Sequence, residues 1–126
     1  MAYDAERIER IVRALKVLRI PLIENEYTLH DMIAAVLQDG GICVCHEVRL
    51  APRCRIDFLV DGVGIEVKRG KQDKRKLRAQ CEKYLACGAL DALIVVLDGA
   101  AMLPDTLCGK PVYVIGLNKL WGIALP

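Results

Sequence analysis

Arg55-Ile56-Asp57-Phe58-Leu59-Val60-Asp61-Gly62-Val63-Gly64-Ile65-Glu66-Val67-Lys68 is the stretch on which the reading of this chain turns. Two alternating runs flank Asp61-Gly62, and Asp-Gly between such runs favours a two-residue type I′ hairpin, because both central residues must accept positive φ. In that register Val60 faces Val63. Asp57 then lies directly opposite Glu66, and the two-residue side-chain period puts Lys68 on the same face as Glu66. Ile56, Phe58, Val60, Ile65 and Val67 supply the core-facing side. Two carboxylates roughly 5 Å apart at Cβ repel each other across a sheet, and something has to compensate. A divalent cation does so, since Mg2+ takes carboxylate oxygens and keeps several waters. Lys68 beside it can position or deprotonate a water and stabilise negative charge developing on a phosphate. The bland alternative is a solvated face on which Lys68 merely pairs with two acids. The apolar faces of both strands, and the basic segment that follows Lys68 at once, favour the catalytic reading.

Upstream, residues 4 to 19 place Ile8, Ile11, Val12, Leu15 and Leu18 at helical spacing, an amphipathic helix that Pro21 ends. A second helix starts near Glu26 or Thr28, where Thr28-x-x-Asp31 resembles a capping box, and runs to Gly40-Gly41. Ile42 to Leu50 reads as a first strand, so that with Arg55 to Val60 and Val63 to Lys68 the chain forms an antiparallel meander. Downstream, residues 71 to 87 read as a helix with Leu77, Cys81, Tyr84 and Leu85 on its apolar face. Leu90 to Leu97 is nearly continuous in apolar residues, as expected of a central strand buried on both faces. Val112 to Leu117 is a further strand, and Trp121 lies in a closing segment. The expected fold is therefore α/β: a mixed central sheet flanked by helices, with an extra N-terminal helix, in one domain spanning residues 1–126.

Hydrophobic residues make up 54% of the 126, enough for one packed core. No run reaches the ~20 apolar residues of a membrane span, and the N-terminus is charged where a signal peptide is apolar, which implies a cytoplasmic protein without membrane partners. The six cysteines read as free thiols, not as a disulfide scaffold. Cys43-Val44-Cys45-His46 is their one cluster. Cys43 and Cys45 fall on one face of a strand and read as buried small hydrophobes rather than as zinc ligands. His30 and His46 stand isolated and read as structural or exposed.

The net charge of +2 hides an uneven distribution: the eleven residues from Lys68 to Arg78 carry +6 and the other 115 carry −4. Such a stripe on a near-neutral chain points to a polyanion. Arg69, Lys71, Lys74, Arg75 and Arg78 are the candidate nucleic-acid contacts, with Lys71, Lys74, Arg75 and Arg78 at helical spacing.

In these motifs the chain resembles the PD-(D/E)XK nuclease superfamily, over most of residues 24 to 97. Glu66-Val67-Lys68 matches that family's (D/E)-x-K, and Asp57 its preceding acidic position, with Ile56 where the family usually has proline. The stretch also looks like compact prophage and resolvase-like members. The resemblance implies an αβββαβ core at 24–97, with residues 98–126 as a C-terminal strand and closing segment. It further implies a metal site of Asp57, Glu66 and the Val67 carbonyl, holding Mg2+ or Mn2+, with Lys68 acting on the water. The family's helical Glu maps best onto Glu26, whose spacing to Leu29 and Ile33 suits an inward face; Glu24 and, less well, Glu47 are the alternatives. Gln80 and Tyr84, one turn apart, resemble a Gln and Tyr that some members place beside the metal or substrate. Tyr84 is on that ground also a candidate nucleic-acid contact, and a partly buried core aromatic is an equal reading.

The implied activity is metal-dependent hydrolysis of phosphodiester bonds in nucleic acid, most readily DNA. The alternative is a non-catalytic nucleic-acid-binding or assembly module that keeps the fold. A defence-type nuclease that needs a partner is a third reading. The apolar stripe of the N-terminal helix would then dock that partner or a second copy in a homodimer.

Overall fold

The computed structural model describes residues 5–16, 26–97 and 102–116, with residues 26–28 described by backbone alone. The elements are α1 (Ala5–Leu15), α2 (Glu26–Asp39), β1 (Cys45–Ala51), β2 (Cys54–Val60), β3 (Val63–Lys68), α3 (Lys74–Ala86), β4 (Ala92–Leu97), β5 (Thr106–Leu107) and β6 (Lys110–Gly116). The described residues form an α/β structure with a six-stranded mixed sheet in the order β1-β2-β3-β4-β6-β5 and three helices. None of these helices is long and apolar enough to cross a membrane.

The hairpin decides the topology. Asp61 and Gly62 both have positive φ, 45° and 83°, as a type I′ turn requires, and Val60 pairs with Val63. β1 adds antiparallel to β2, completing the meander. β4 joins β3 in parallel and takes β6, also parallel, on its other edge. All six residues of β4 are buried, because helices or loops cover both faces of the sheet.

Two cores result. α1 and α2 cover one face, where Ile8, Ile11, Leu29, Ile33 and Leu37 meet Phe58, Ile65 and Val67. α3 covers the other, where Leu77, Cys81, Tyr84 and Leu85 meet Ile56, Leu93 and Val95. Each fully buried Ile, Leu or Phe contributes about 2 kcal/mol. The apolar stripe of α1 is spent in this way: Ile8, Ile11 and Leu15 are fully buried against the chain's own core. Among the described residues, the Ile8, Ile11 and Leu15 part of that stripe is therefore not left open to a partner or a second copy.

Several local expectations change. α2 begins at Glu26, so Thr28 lies inside its first turn instead of capping it. α3 begins at Lys74, capped by Asp73, whose Oδ1 accepts from the amides of Arg75 (3.0 Å) and Lys76 (3.1 Å); Lys71 precedes the helix. β5, two residues long, pairs antiparallel with β6 just ahead of the strand expected from Val112. All six cysteines are free, but Cys43 and Cys45 are exposed, not buried: Cys45 opens the edge strand β1 and Cys43 precedes it. Residues 17–25 and 117–126, which include Leu18, Pro21, Glu24, Leu117 and Trp121, lie outside the described residues.

Candidate active site

The site forms where the sheet loses its regularity. β2 and β3 pair at Val60–Val63, Leu59–Gly64 and Phe58–Ile65, and there the backbone ladder stops. The next positions in register are Asp57 and Glu66. Their side chains replace the missing backbone bonds: the Val67 amide donates to Asp57 Oδ2 at 2.8 Å, and the Asp57 amide donates to Glu66 Oε1 at 3.2 Å. Each carboxylate thus reaches across to the opposite strand. In an extended strand a residue's N–H and C=O address the same neighbour, so the Val67 carbonyl also faces β2.

Alternation along β2 breaks at the same place. Ile56 packs into the α3-side core, whereas Phe58 and Val60 pack into the α1/α2-side core. The two were expected on one face. Across the strand pair, β1 matches this reversal: Val48, opposite Ile56, packs on the α3 side, and His46, opposite Phe58, stacks on Phe58. Between them Glu47 has φ 53°, a left-handed conformation costly for a residue with a side chain. Strain of this kind collects at functional sites because regular pairing would place these side chains elsewhere.

Glu66 is the one buried charged residue among those described, 4% exposed. Its Oε2 lies 2.9 Å from the Tyr84 hydroxyl, 3.3 Å from Lys68 Nζ and 3.4 Å from Gln80 Nε2. Gln80 also donates to the Tyr84 oxygen at 2.8 Å, which orients that hydroxyl toward Glu66 and the Arg55 carbonyl. Even so, burial, and next the charge of Asp57, push the Glu66 carboxyl up to about 7; Lys68 and the hydrogen bonds only partly offset them. The Tyr84 hydroxyl is pushed well above its ordinary range, by burial first and then by Glu66, so it stays a donor.

On the α2 side of Asp57 stands a group that the sequence reading passed over. His30 Nε2 is 3.6 Å from Asp57 Oδ2, and His30 Nδ1 is 3.3 Å from His46 Nε2. The two histidines are not isolated: both rings pack on Phe58. One signal was available. His30 falls between Leu29 and Ile33, three residues before the latter, on the inward side of α2. His46 is brought in only by the β1–β2 register, which no local pattern reveals.

The structure brings Asp57, Glu66, Val67, Lys68, Gln80 and Tyr84 together. Tyr84, read as a nucleic-acid contact, is 3% exposed and buttresses Glu66 from the interior, so it is not presented to a polyanion. Glu26 is the first residue of α2, and its side chain lies outside the described residues, as does Glu24 altogether. Glu47 is exposed and sits 3.7 Å from Arg55, away from Glu66. Lys71, Lys74, Arg75 and Arg78 are exposed, and Arg69 is half-buried. Lys74, Arg75 and Lys76 lie in the first turn of α3, where the Asp73 cap is the acid at the positive end of the helix dipole and leaves a net cationic helix start.

Among the described residues no group of three or more His, Cys, Asp or Glu side chains is placed to hold a metal ion. The donor chemistry, two carboxylates and a backbone carbonyl, nevertheless suits a hard divalent cation, which would relieve the repulsion between Asp57 and the buried Glu66. A cleft of about 480 Å3 at the other end of the hairpin is lined by Glu6, Arg7, Glu9, Arg10, Arg13 and Asp61. No family model, curated protein or solved structure matches this chain.

Proposed function

We propose that this protein is a Mg2+- or Mn2+-dependent nuclease that hydrolyses phosphodiester bonds in DNA, with the order α2-β1-β2-β3-α3-β4 serving as a PD-(D/E)XK-type αβββαβ core. One observation carries the reading: the β2–β3 ladder ends at Phe58–Ile65, and the next pair is two carboxylates with Lys68 3.3 Å from one of them. Asp57, Glu66 and the Val67 carbonyl would hold the cation. When bound, it supplies a lowered pKa to a coordinated water and charge neutralisation at the phosphate.

The chain's own residues do the rest. Tyr84 and Gln80 fix the Glu66 carboxylate through two donors on Oε2. Lys68, with its side chain 23% exposed, reaches from that carboxylate toward solvent, where a scissile phosphate would lie. Its ammonium orients the attacking water and stabilises charge on the phosphate oxygens. Arg69, Lys71, Lys74, Arg75 and Arg78 continue from Lys68 along the loop and the start of α3 and hold neighbouring backbone phosphates.

The test is Lys68→Ala, assayed with linear and branched DNA in Mn2+. Cleavage should fall by at least about 100-fold while folding and DNA binding persist. A folded variant that cuts as wild type does refutes the assignment. The rival reading is a non-catalytic nucleic-acid-binding or assembly module, favoured by the way Tyr84, Gln80 and Lys68 already surround Glu66 Oε2. It predicts DNA binding that neither needs Mn2+ nor leads to cleavage in wild type.

A further inference from the structure

The mechanism above leaves the histidine pair unused, although one of its nitrogens faces Asp57. His30 presents Nε2 to Asp57 Oδ2 at 3.6 Å and Nδ1 to His46 Nε2 at 3.3 Å. His46 lies flat on Phe58, with centroids 4.6 Å apart and planes 6° apart, because the β1–β2 register pairs the two residues. His30 tilts against the same Phe58 at 5.4 Å, its side chain 12% exposed. Phe58 packs against both rings, the half-buried His30 and the exposed His46, so the Nδ1–Nε2 approach follows from the β1–β2 register and the place of His30 on α2.

A neutral imidazole carries one proton, and the nitrogen that bears it cannot donate a lone pair to a cation. Which nitrogen bears it is decided by the hydrogen bond that the other makes. If His46 Nε2 accepts a proton from His30 Nδ1, then His30 Nε2 carries the lone pair, aimed at the Asp57 side of the site. His46 keeps its own proton on Nδ1, at its exposed edge. Metal-ligating histidines ordinarily donate their other ring N–H to an outer-shell acceptor, usually a carboxylate, carbonyl or water; here an imidazole nitrogen takes that place.

We infer that His30 Nε2 is a nitrogen donor of the cation site and that His46 is the positioning residue that holds His30 in the tautomer able to donate. The inference rests on the cation-dependent reading above and departs from Glu26 as the α2 contribution. It has a consequence for the ion. Imidazole suits transition ions over Mg2+, so the site takes Mn2+ in preference to Mg2+.

Mn2+ titration by calorimetry and pulsed electron paramagnetic resonance on the full chain test this. Wild type should bind Mn2+ with 14N hyperfine coupling from one imidazole. His30→Gln should lose that coupling and much of its preference for Mn2+ over Mg2+. His46→Phe keeps a ring on Phe58 but removes the acceptor, and should weaken Mn2+ binding about 10–100-fold. His46→Gln, whose amide oxygen can accept from Nδ1, should recover most of it, a rescue that a merely packing role would not give. Mn2+ bound to wild type without nitrogen coupling, or bound by His46→Phe as tightly as by wild type, overturns the inference. If Asp57→Asn abolishes Mn2+ binding in that case, the carboxylate site stands and only the histidine assignment falls. Wild type that binds no Mn2+ defeats both.

Discussion

Replacing Glu66 by Gln in the metal-free protein should remove a pH dependence of stability that follows directly from the site. The carboxyl sits at about 7, raised from its ordinary 4.5 by burial and by Asp57. Between those values the folded state keeps a proton that the unfolded state has released, so stability is full below pH 4.5 and is lost as pH rises through 7. With the side chain only 6% exposed, solvent screens little of this. The shift corresponds to about 3 kcal/mol across the window, which for a domain of this size is roughly 10 °C in melting temperature. Glutamine keeps the shape and an acceptor oxygen but carries no charge to bury. Thermal and urea unfolding, followed by circular dichroism in chelator at pH 5, 6, 7 and 8, reads the difference. Wild type should fall relative to Glu66→Gln as pH rises, and Mn2+ added at pH 8 should restore wild type alone. Parallel stability curves for the two proteins would refute the account of Glu66 as a buried, repelled carboxyl.

Two further substitutions probe what surrounds the site. A Cβ at Gly64 would stand 2.7 Å from Leu90 Cδ1 and 2.8 Å from Ile56 Cδ1, so Gly64→Ala should destabilise by about 1–3 kcal/mol as overpacking; an unchanged urea midpoint would mean that β3 shifts freely, against its pairing on both edges. Lys74→Ala with Arg75→Ala removes two exposed cations from the start of α3 and should reduce the slope of log DNA affinity against log salt by about 2. An unaltered slope would move the phosphate track to another face.

The parts of this molecule that were legible in sequence are those governed by local periodicity. Asp61-Gly62 set the hairpin, the hairpin set the register, and the register aligned Asp57 with Glu66 and left Lys68 beside Glu66. Leu77, Cys81, Tyr84 and Leu85 marked the buried face of α3 for the same reason. What escaped depends on non-local geometry. Period-two alternation assigns Ile56 and Phe58 to one face, and only the left-handed turn at Glu47, opposite Asp57, shows that the strand pair reverses there. That reversal carries His46 onto Phe58 and under His30, residues that look isolated when read along the chain. Tyr84 was ambiguous because an aromatic at a buried helical position packs equally well with or without a carboxylate to hold; its hydroxyl partner comes from another element.

The irregularities are also the argument for function. Pairing β2 and β3 through Asp57 and Glu66 in the ordinary way would satisfy the backbone without inserting two acids between strands. An apolar residue at 66 would face α3 at no electrostatic cost. Instead the ladder stops, Glu47 holds a strained φ, a glutamate is buried against its preference, and two side chains of α3 are committed to it. The hydrogen bonds to the two carboxylates satisfy strand amides, but they only partly offset the burial of Glu66 and its repulsion by Asp57. A buried carboxylate set in an interrupted ladder beside a strained strand residue is a departure of the kind that collects where something other than stability is being maintained. Here the departures converge on one point of the sheet, beside the chain's concentrated positive charge, as expected if a cation and a phosphate complete what the protein alone leaves unbalanced.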